Sequence, residues 1–200
     1  MRQNSAIANQ LLTIPDGEMI LYRNVFIASE SAMLFQTLYQ DSDWQQHVLT
    51  ICGRAVAAPR LSAWYGDLGA VYRYSGLSLE PLPWTPTLRE IKEKAERLAA
   101  TRFNSVLLNL YRDGRDSMGW HSDAEPELGR NPVIASVSLG ATRRFLLRHK
   151  KQRNEVVTLM LEAGSVLIMA GATQHYWQHQ LPKTRQAVGP RINLTFRVIV

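Results

Sequence analysis

Apolar positions change their spacing partway along the chain. From Ser29 to Gln40, Ala32, Leu34, Phe35 and Leu38 recur at helical intervals and predict a short helix. A second helix is more sharply marked. Thr85 can cap it, Pro86 suits its first position, and Leu88, Ile91, Ala95 and Leu98 follow at steps of three, four and three. Glu90 with Lys94 and Glu93 with Arg97 offer i,i+4 pairs on its outer face. After Phe103 the pattern turns to short runs rich in Val, Ile, Leu and Thr, broken by Gly, Asn, Asp and Pro, which is the signature of antiparallel strands. Strands are expected near Ser105 to Tyr111, Val133 to Leu139, Arg144 to Arg148, Val156 to Leu161, Ser165 to Met169 and Ile192 to Ile199. The stretch from Ile51 to Leu79 adds strands and loops ahead of them, and residues 1 to 10, polar and without a period, read as a loose arm.

Helices followed by many strands predict a mainly β protein with flanking helices (α+β), the helices backing one sheet of a β-sandwich or jelly roll. No linker divides the 200 residues, so a single domain is expected. The longest apolar runs, such as Ser165 to Gly171, are too short for a membrane span, and the N-terminus lacks the apolar core of a secretory signal. A cytoplasmic, monomeric protein is the expectation. Cys52 is the sole cysteine, which excludes an internal disulfide and an all-thiolate metal cage, so any metal must rest on histidine and carboxylate. Charge is lopsided: residues 1 to 100 carry a balance of −1 and residues 101 to 200 a balance of +7. Such asymmetry favours a polyanionic partner without fixing one.

Three polar groups interrupt the β pattern. In Trp120-His121-Ser122-Asp123, extended backbone would put His121 and Asp123 on one side, where both reach one ion. Gln174 to His179 brings two further histidines 52 and 56 residues after Asp123. Either could complete a two-His, one-carboxylate facial triad suited to non-haem Fe(II), and His175 reads better as a loop residue than His179. On the last strand Arg191, Asn193, Thr195 and Arg197 share one face, with Ile192, Leu194 and Phe196 on the other. Two arginines around an amide and a hydroxyl match a dicarboxylic acid, and Asn109 and Tyr111, again two apart, could add donors. The alternative for that strand is a plain wet face. Arg143, Arg144, Arg148, Lys150, Lys151 and Arg153 crowd one stretch, either as a solvated hairpin tip or as phosphate contacts.

The segments NLYRDGRDSMGWHSDAEPELGRNPVIASVSLGATRRF, GATQHYWQHQLPK and PRINLTFR, with PRLSAWYGDLGAVYRYSGLSLEPLPWTPTL upstream, closely resemble the AlkB family of Fe(II)/2-oxoglutarate-dependent nucleic-acid demethylases. The resemblance covers roughly residues 50 to 200 and looks closest to the branch containing the animal DNA and RNA repair paralogues. It implies a double-stranded β-helix over about 103–200, fronted by a nucleotide-recognition lid over about 48–80. By motif position it implies iron on His121, Asp123 and His179, the catalytic set, and 2-oxoglutarate on Asn109, Tyr111, Arg191, Asn193 and Arg197. It also implies that Glu125 lies near the alkylated base and that Tyr72, Arg73, Tyr74 and Ser75 fall in the lid; from the basic run itself, Arg148 and Lys150 are the expected substrate contacts. Ala124 departs from the family, standing where close relatives often carry a second acid.

The implied reaction is oxidative demethylation of bases such as 1-methyladenine and 3-methylcytosine in DNA or RNA, releasing formaldehyde, succinate and CO2. Two further readings remain: a 2-oxoglutarate-dependent hydroxylase of a protein or small molecule, and a catalytically silent jelly-roll module that binds nucleic acid.

Overall fold

A computed structural model describes residues 8–51, 53–74 and 77–200. In chain order the elements are β1 (Ala8–Leu12), β2 (Glu18–Arg23), α1 (Ala28–Asp41), β3 (Val48–Ile51), β4 (Arg54–Ala57), β5 (Leu61–Gly66), β6 (Tyr72–Tyr74) and β7 (Leu77–Leu79). Then come α2 (Pro86–Ala99), β8 (Ser105–Tyr111), β9 (Met118–His121), β10 (Ile134–Gly140), β11 (Arg143–His149), β12 (Val156–Leu161), β13 (Ser165–Ala170), α3 (Thr173–Tyr176), β14 (Trp177–Leu181) and β15 (Arg191–Arg197). A seven-stranded sheet runs in the order β1-β2-β13-β10-β15-β8-β5, and a four-stranded sheet in the order β12-β11-β14-β9. All their pairings are antiparallel. Two small hairpins, β3–β4 and β6–β7, stand apart from these sheets.

Both expected helices form, for the local reasons their sequences give. Thr85 accepts a hydrogen bond from the Leu88 amide at 3.2 Å, and Ala100 closes α2 in the left-handed conformation. Leu88, Ile91 and Ala95 are buried. On α1 the buried set is Ser31, Leu34, Phe35 and Leu38, a better 3-1-3 stripe than one including Ala32, which is exposed. The anticipated pairs on α2 give way to others: Lys94 pairs with Glu30 of α1, and Lys92 with Glu96 at 3.8 Å.

Two apolar layers follow. One lies between the helices and the large sheet, where Leu34, Leu88 and Ile91 meet Val106, Val137, Leu194 and Phe196. The other lies between the sheets, where Met19, Leu21, Phe145, Leu147, Leu167 and Trp177 pack. Both faces of β15 are therefore covered, and the polar face of that strand is interior: Arg191 and Arg197 are 2% and 4% exposed. That rules out the alternative of a plain wet face for this strand.

The expected strands match with shifts of one or two residues at their ends, the last stopping at Arg197 instead of Ile199. Two corrections are larger. Residues 8 to 10 are not part of a loose arm but belong to β1, which pairs with β2 from Ala8↔Arg23 to Leu12↔Met19; residues 1–7 lie outside the described residues. The large sheet also reaches upstream of residue 103 to take in β1, β2 and β5. Among the described residues no helix is long and apolar enough to cross a membrane.

One turn ties the sheets together. Gly140 ends β10 at φ +82°, and a Cβ there would lie 2.5 Å from the Pro190 carbonyl and 2.8 Å from the Phe35 ring. Its neighbour Ala141 donates to that same carbonyl at 2.9 Å, fixing the start of β15. Gly140→Ala should cost at least about 1 to 3 kcal/mol, the scale of a strained left-handed residue, as a lowered midpoint in denaturant unfolding.

Candidate metal and dicarboxylate site

Between the sheets opens a cavity lined by residues from β8, β9, β10, β11, β13, β14 and β15 and from the segment just after β9. His121, Asp123 and His179 meet at its edge, each offering one ligating atom, and these atoms lie within 4.8 Å of one another. Strand pairing creates the meeting. His121 and His179 are register partners on β9 and β14, their rings 4.2 Å apart and inclined at 65°. Asp123 lies just past β9 and is held by two contacts around it. Its amide donates to the buried Gln174 side-chain oxygen at 2.9 Å, while the Ser122 hydroxyl donates to the Trp177 carbonyl at 2.8 Å. The short helix α3 is thus the bracket that holds the carboxylate. His175, on the same helix, is exposed and takes no part.

The protonation pattern suits a metal. His121 Nδ1 lies 2.8 Å from the Gly119 carbonyl, which can only accept, so Nδ1 is the donor there and Nε2 is the ring atom on the Asp123 side. Burial pushes the His179 imidazole down to about 3, with His121 adding to the effect, so His179 is neutral at ordinary pH. For Asp123 burial works upward, but Arg197, His179 and His121 together hold its carboxyl down at about 2. Arg197 Nη2 sits 2.9 Å from Asp123 Oδ2, leaving Oδ1 on the His121 side, 3.7 Å from Nε2.

Beyond this cluster the cavity becomes a cationic, donor-rich end. Arg191 is fully buried, and burial pulls its guanidinium down to about 10. Its Nη2 donates to Ser138 Oγ at 2.9 Å, whereas its Nε is buried with no hydrogen-bond partner. A carboxylate placed in the cavity would satisfy that donor. The Tyr111 ring lies 5.5 Å from the Arg191 guanidinium. Asn109 lines the same wall. Asn193 lines it too, but its Nδ2 is already given to Ser136 Oγ at 2.8 Å and to the Val137 carbonyl at 3.0 Å, and its Oδ1 accepts from Thr195. Asn193 thus organises its neighbours, with neither amide hydrogen left for a ligand.

Several functional residues escaped the sequence reading. Ser136 and Ser138 had a signal, small polar residues two apart in the apolar run IASVSLG, which places both toward the cavity side of β10. Gln174 had none, since its role comes from a tertiary contact.

The outer residues are distributed differently from the expectation. Glu125 is half-buried at the start of the turn Pro126–Leu128 and is not among the residues lining the cavity. Arg143 does not join the basic tip: it is 2% exposed and donates to the Asp113, Asp116 and Pro182 carbonyls. Lys150 Nζ donates to the Gln174 carbonyl at 2.9 Å. Arg148 is exposed on the outer face, stacked 4.2 Å from the Trp120 ring and bonded to Gln178. Tyr72 and Tyr74 lie on β6, and Ser75 and Cys52 fall outside the described residues.

A jelly roll carrying two histidines and one aspartate beside a buried arginine defines the class of non-haem iron oxygenases. A family profile described as the 2OG-Fe(II) oxygenase superfamily matches residues 18–197. Alpha-ketoglutarate-dependent dioxygenase alkB homolog 3 of Homo sapiens is 44% identical over 192 residues, covering 92% of this chain and 66% of the relative. DNA oxidative demethylase ALKBH2 of Mus musculus is 40% identical over 189 residues, covering 90% of this chain and 79% of the relative. A solved structure described as OsALKBH1 superposes with a TM-score of 0.67 at 17% identity, covering 94% of this chain and all of that one, a likeness of fold alone. The chain belongs to the 2OG-Fe(II) oxygenase superfamily and, within it, to the AlkB-type dioxygenases. It spans 62% to 66% of the length of the alkB homolog 3 relatives. Iron(II) and 2-oxoglutarate are the metal and cosubstrate of this superfamily, and the triad and the unsatisfied Arg191 donor fit them.

Gln174 offers a test of the bracket. Gln174→Leu removes the acceptor for the Asp123 amide and should weaken metal binding about 10- to 100-fold, the range for losing a group that supports a ligand, in a titration with Mn(II) or Fe(II).

Proposed function

We propose that this protein removes alkyl groups from N-alkylated bases in DNA by Fe(II)- and 2-oxoglutarate-dependent oxidation. RNA is a second polymer that the same site could accept. The observation that carries the proposal is the His121–Asp123–His179 cluster sharing one interior cavity with the buried, partly unsatisfied Arg191, in a chain 40% identical to a relative named a DNA oxidative demethylase.

His121, Asp123 and His179 would hold the iron, and Arg191, Asn109 and Tyr111 the far carboxylate of 2-oxoglutarate. Arg197 keeps Asp123 ionised and turned. The bound metal and cosubstrate, with O2, supply the oxidation that hydroxylates an N-methyl carbon, after which the base is released with formaldehyde. The protein's remaining tasks are to seat the base and exclude water. A base must leave its stack to reach such a cavity, at a cost lowest for a damaged or unpaired base. The hairpins β3–β4 and β6–β7, within the lid expected over about 48–80, would cover it, and an aromatic residue there such as Tyr72 or Tyr74 would be worth about 1 to 3 kcal/mol per stacked base. The proposal keeps the cytoplasmic location and monomeric state expected from the sequence.

Incubating the protein with Fe(II), 2-oxoglutarate, air and oligonucleotides bearing 1-methyladenine or 3-methylcytosine should give demethylated product by mass spectrometry. His121→Ala, Asp123→Ala and His179→Ala should each abolish it, while His175→Ala retains it. Product from unmodified cosubstrate turnover alone, with every methylated oligonucleotide untouched, would favour a protein or small-molecule substrate.

The polymer itself is tested by salt. Lys150 is engaged with Gln174, so the exposed Arg148, Lys151 and Arg153 are the cations to neutralise. Their replacement by Gln should weaken binding to methylated and unmethylated oligonucleotides alike. The log–log salt slope should flatten by about 0.7 to 0.9 per lost phosphate contact in fluorescence titrations.

A further inference from the structure

Arg60 is an arginine in the wrong place for a surface residue. It lies in the link between β4 and β5, is 5% exposed, and gives its Nε to Asn109 Oδ1 at 3.0 Å. Neither the metal cluster nor the cavity lining includes it. Its own segment is anchored, since the Arg60 amide donates to Ala58 and the Ser117 amide to the Pro59 carbonyl.

The chemistry of that one contact has a definite consequence. An amide side chain has two nearly isosteric ends, an acceptor oxygen and a donor nitrogen, and can present either by flipping about its last bond. A guanidinium can only donate. With Arg60 against it, Asn109 must point Oδ1 at Arg60. Its Nδ2, which makes no hydrogen bond to a described residue, is then the end presented to the cavity that Asn109 lines. The neighbouring Asn193 is the contrast: its register partner across β8–β15 is Asn109 itself, yet its amide hydrogens are both spent inside the sheet.

We propose that Arg60 is a positioning residue for the cosubstrate: it locks the Asn109 amide so that a donor, and never the repelling oxygen, faces a bound dicarboxylate. The inference rests on the reading that 2-oxoglutarate occupies this cavity. Arg60 is in neither the metal cluster nor the cavity lining, so its effect on the cosubstrate runs through Asn109.

Calorimetry of 2-oxoglutarate binding to Mn(II)-loaded protein tests both layers separately. Wild-type protein that fails to bind would overturn the cavity reading itself. Given binding, Asn109→Ala should weaken it about tenfold, the scale of one ordinary hydrogen bond. Arg60→Met, which keeps the buried stem without the donor, should weaken it by a similar factor, and Arg60→Lys should recover part of the loss. The double variant Arg60→Met/Asn109→Ala should bind no worse than Asn109→Ala alone, because residues acting through one contact are not additive. Wild-type affinity in Arg60→Met, an unaltered Asn109→Ala, or losses that multiply in the double variant would each overturn the inference. Should Arg60→Met not fold, Asn109→Asp decides: with an oxygen in place of Nδ2 it should bind more weakly than Asn109→Ala, and equal or tighter binding rejects the assignment.

Discussion

The buried ion pair between Arg197 and Asp123 is the contact on which the site depends. It joins the end of the last strand to the segment after β9, and both side chains are almost completely excluded from water. Either charge alone in that interior would be costly, and removing one partner of such a pair typically costs about 3 to 5 kcal/mol. Paired, they hold each other in the charged state that a metal site needs, with one carboxylate oxygen spent on arginine and the other left toward the histidines. A stabilising contact and a geometric instruction are here the same bond.

That pair can exist only because the large sheet is covered twice. Helices α1 and α2 take the apolar face of β15 through Ile192, Leu194 and Phe196, and the four-stranded sheet closes over the polar face. The polar residues inside are satisfied by one another along the strands: Ser138 serves Arg191, while Ser136 and the Val137 carbonyl serve Asn193. A sheet wet on one side would leave these groups in water, where a carboxylate ligand would have to compete with solvent for every donor.

Much of this was legible because period-two patterning survives in short strands. The alternation Arg191, Asn193, Thr195, Arg197 against Ile192, Leu194, Phe196 placed the two faces of β15 before any fold was known, and Thr85-Pro86 marked the start of α2 within a residue. The β1–β2 hairpin was missed because Glu18 to Arg23 alternates weakly and owes its place to β13, across 140 or so residues of chain. Arg60 and Gln174 were invisible for a related reason: what they do for the site comes through tertiary hydrogen bonds, to Asn109 and to the Asp123 amide, and no local spacing encodes that. The basic run was misread at Arg143 because composition counts charges without saying which are inside.

Sorting those charges alters the electrostatic picture. The balance of +7 in the second half includes Arg143, Arg191 and Arg197, all buried, as well as Arg112 and Arg115, paired with Asp116 and Asp113. Interior arginines are engaged with carbonyls, a carboxylate and a serine hydroxyl, so they contribute little to the attraction of a distant polyanion. Much of what faces solvent without an acidic partner clusters on one region: Arg144, Arg148, Lys150, Lys151 and Arg153 along β11 and its turn, with Lys183 and Arg185 after β14. These two strands are hydrogen-bonded neighbours, and β14 also carries His179. The exposed positive charge therefore lies on the sheet that holds the metal ligand, with Arg148 one register position from the residue paired with His179. A polyanion attracted there would arrive beside the cavity, so under the proposed function net charge and chemistry would be linked through a single pair of strands.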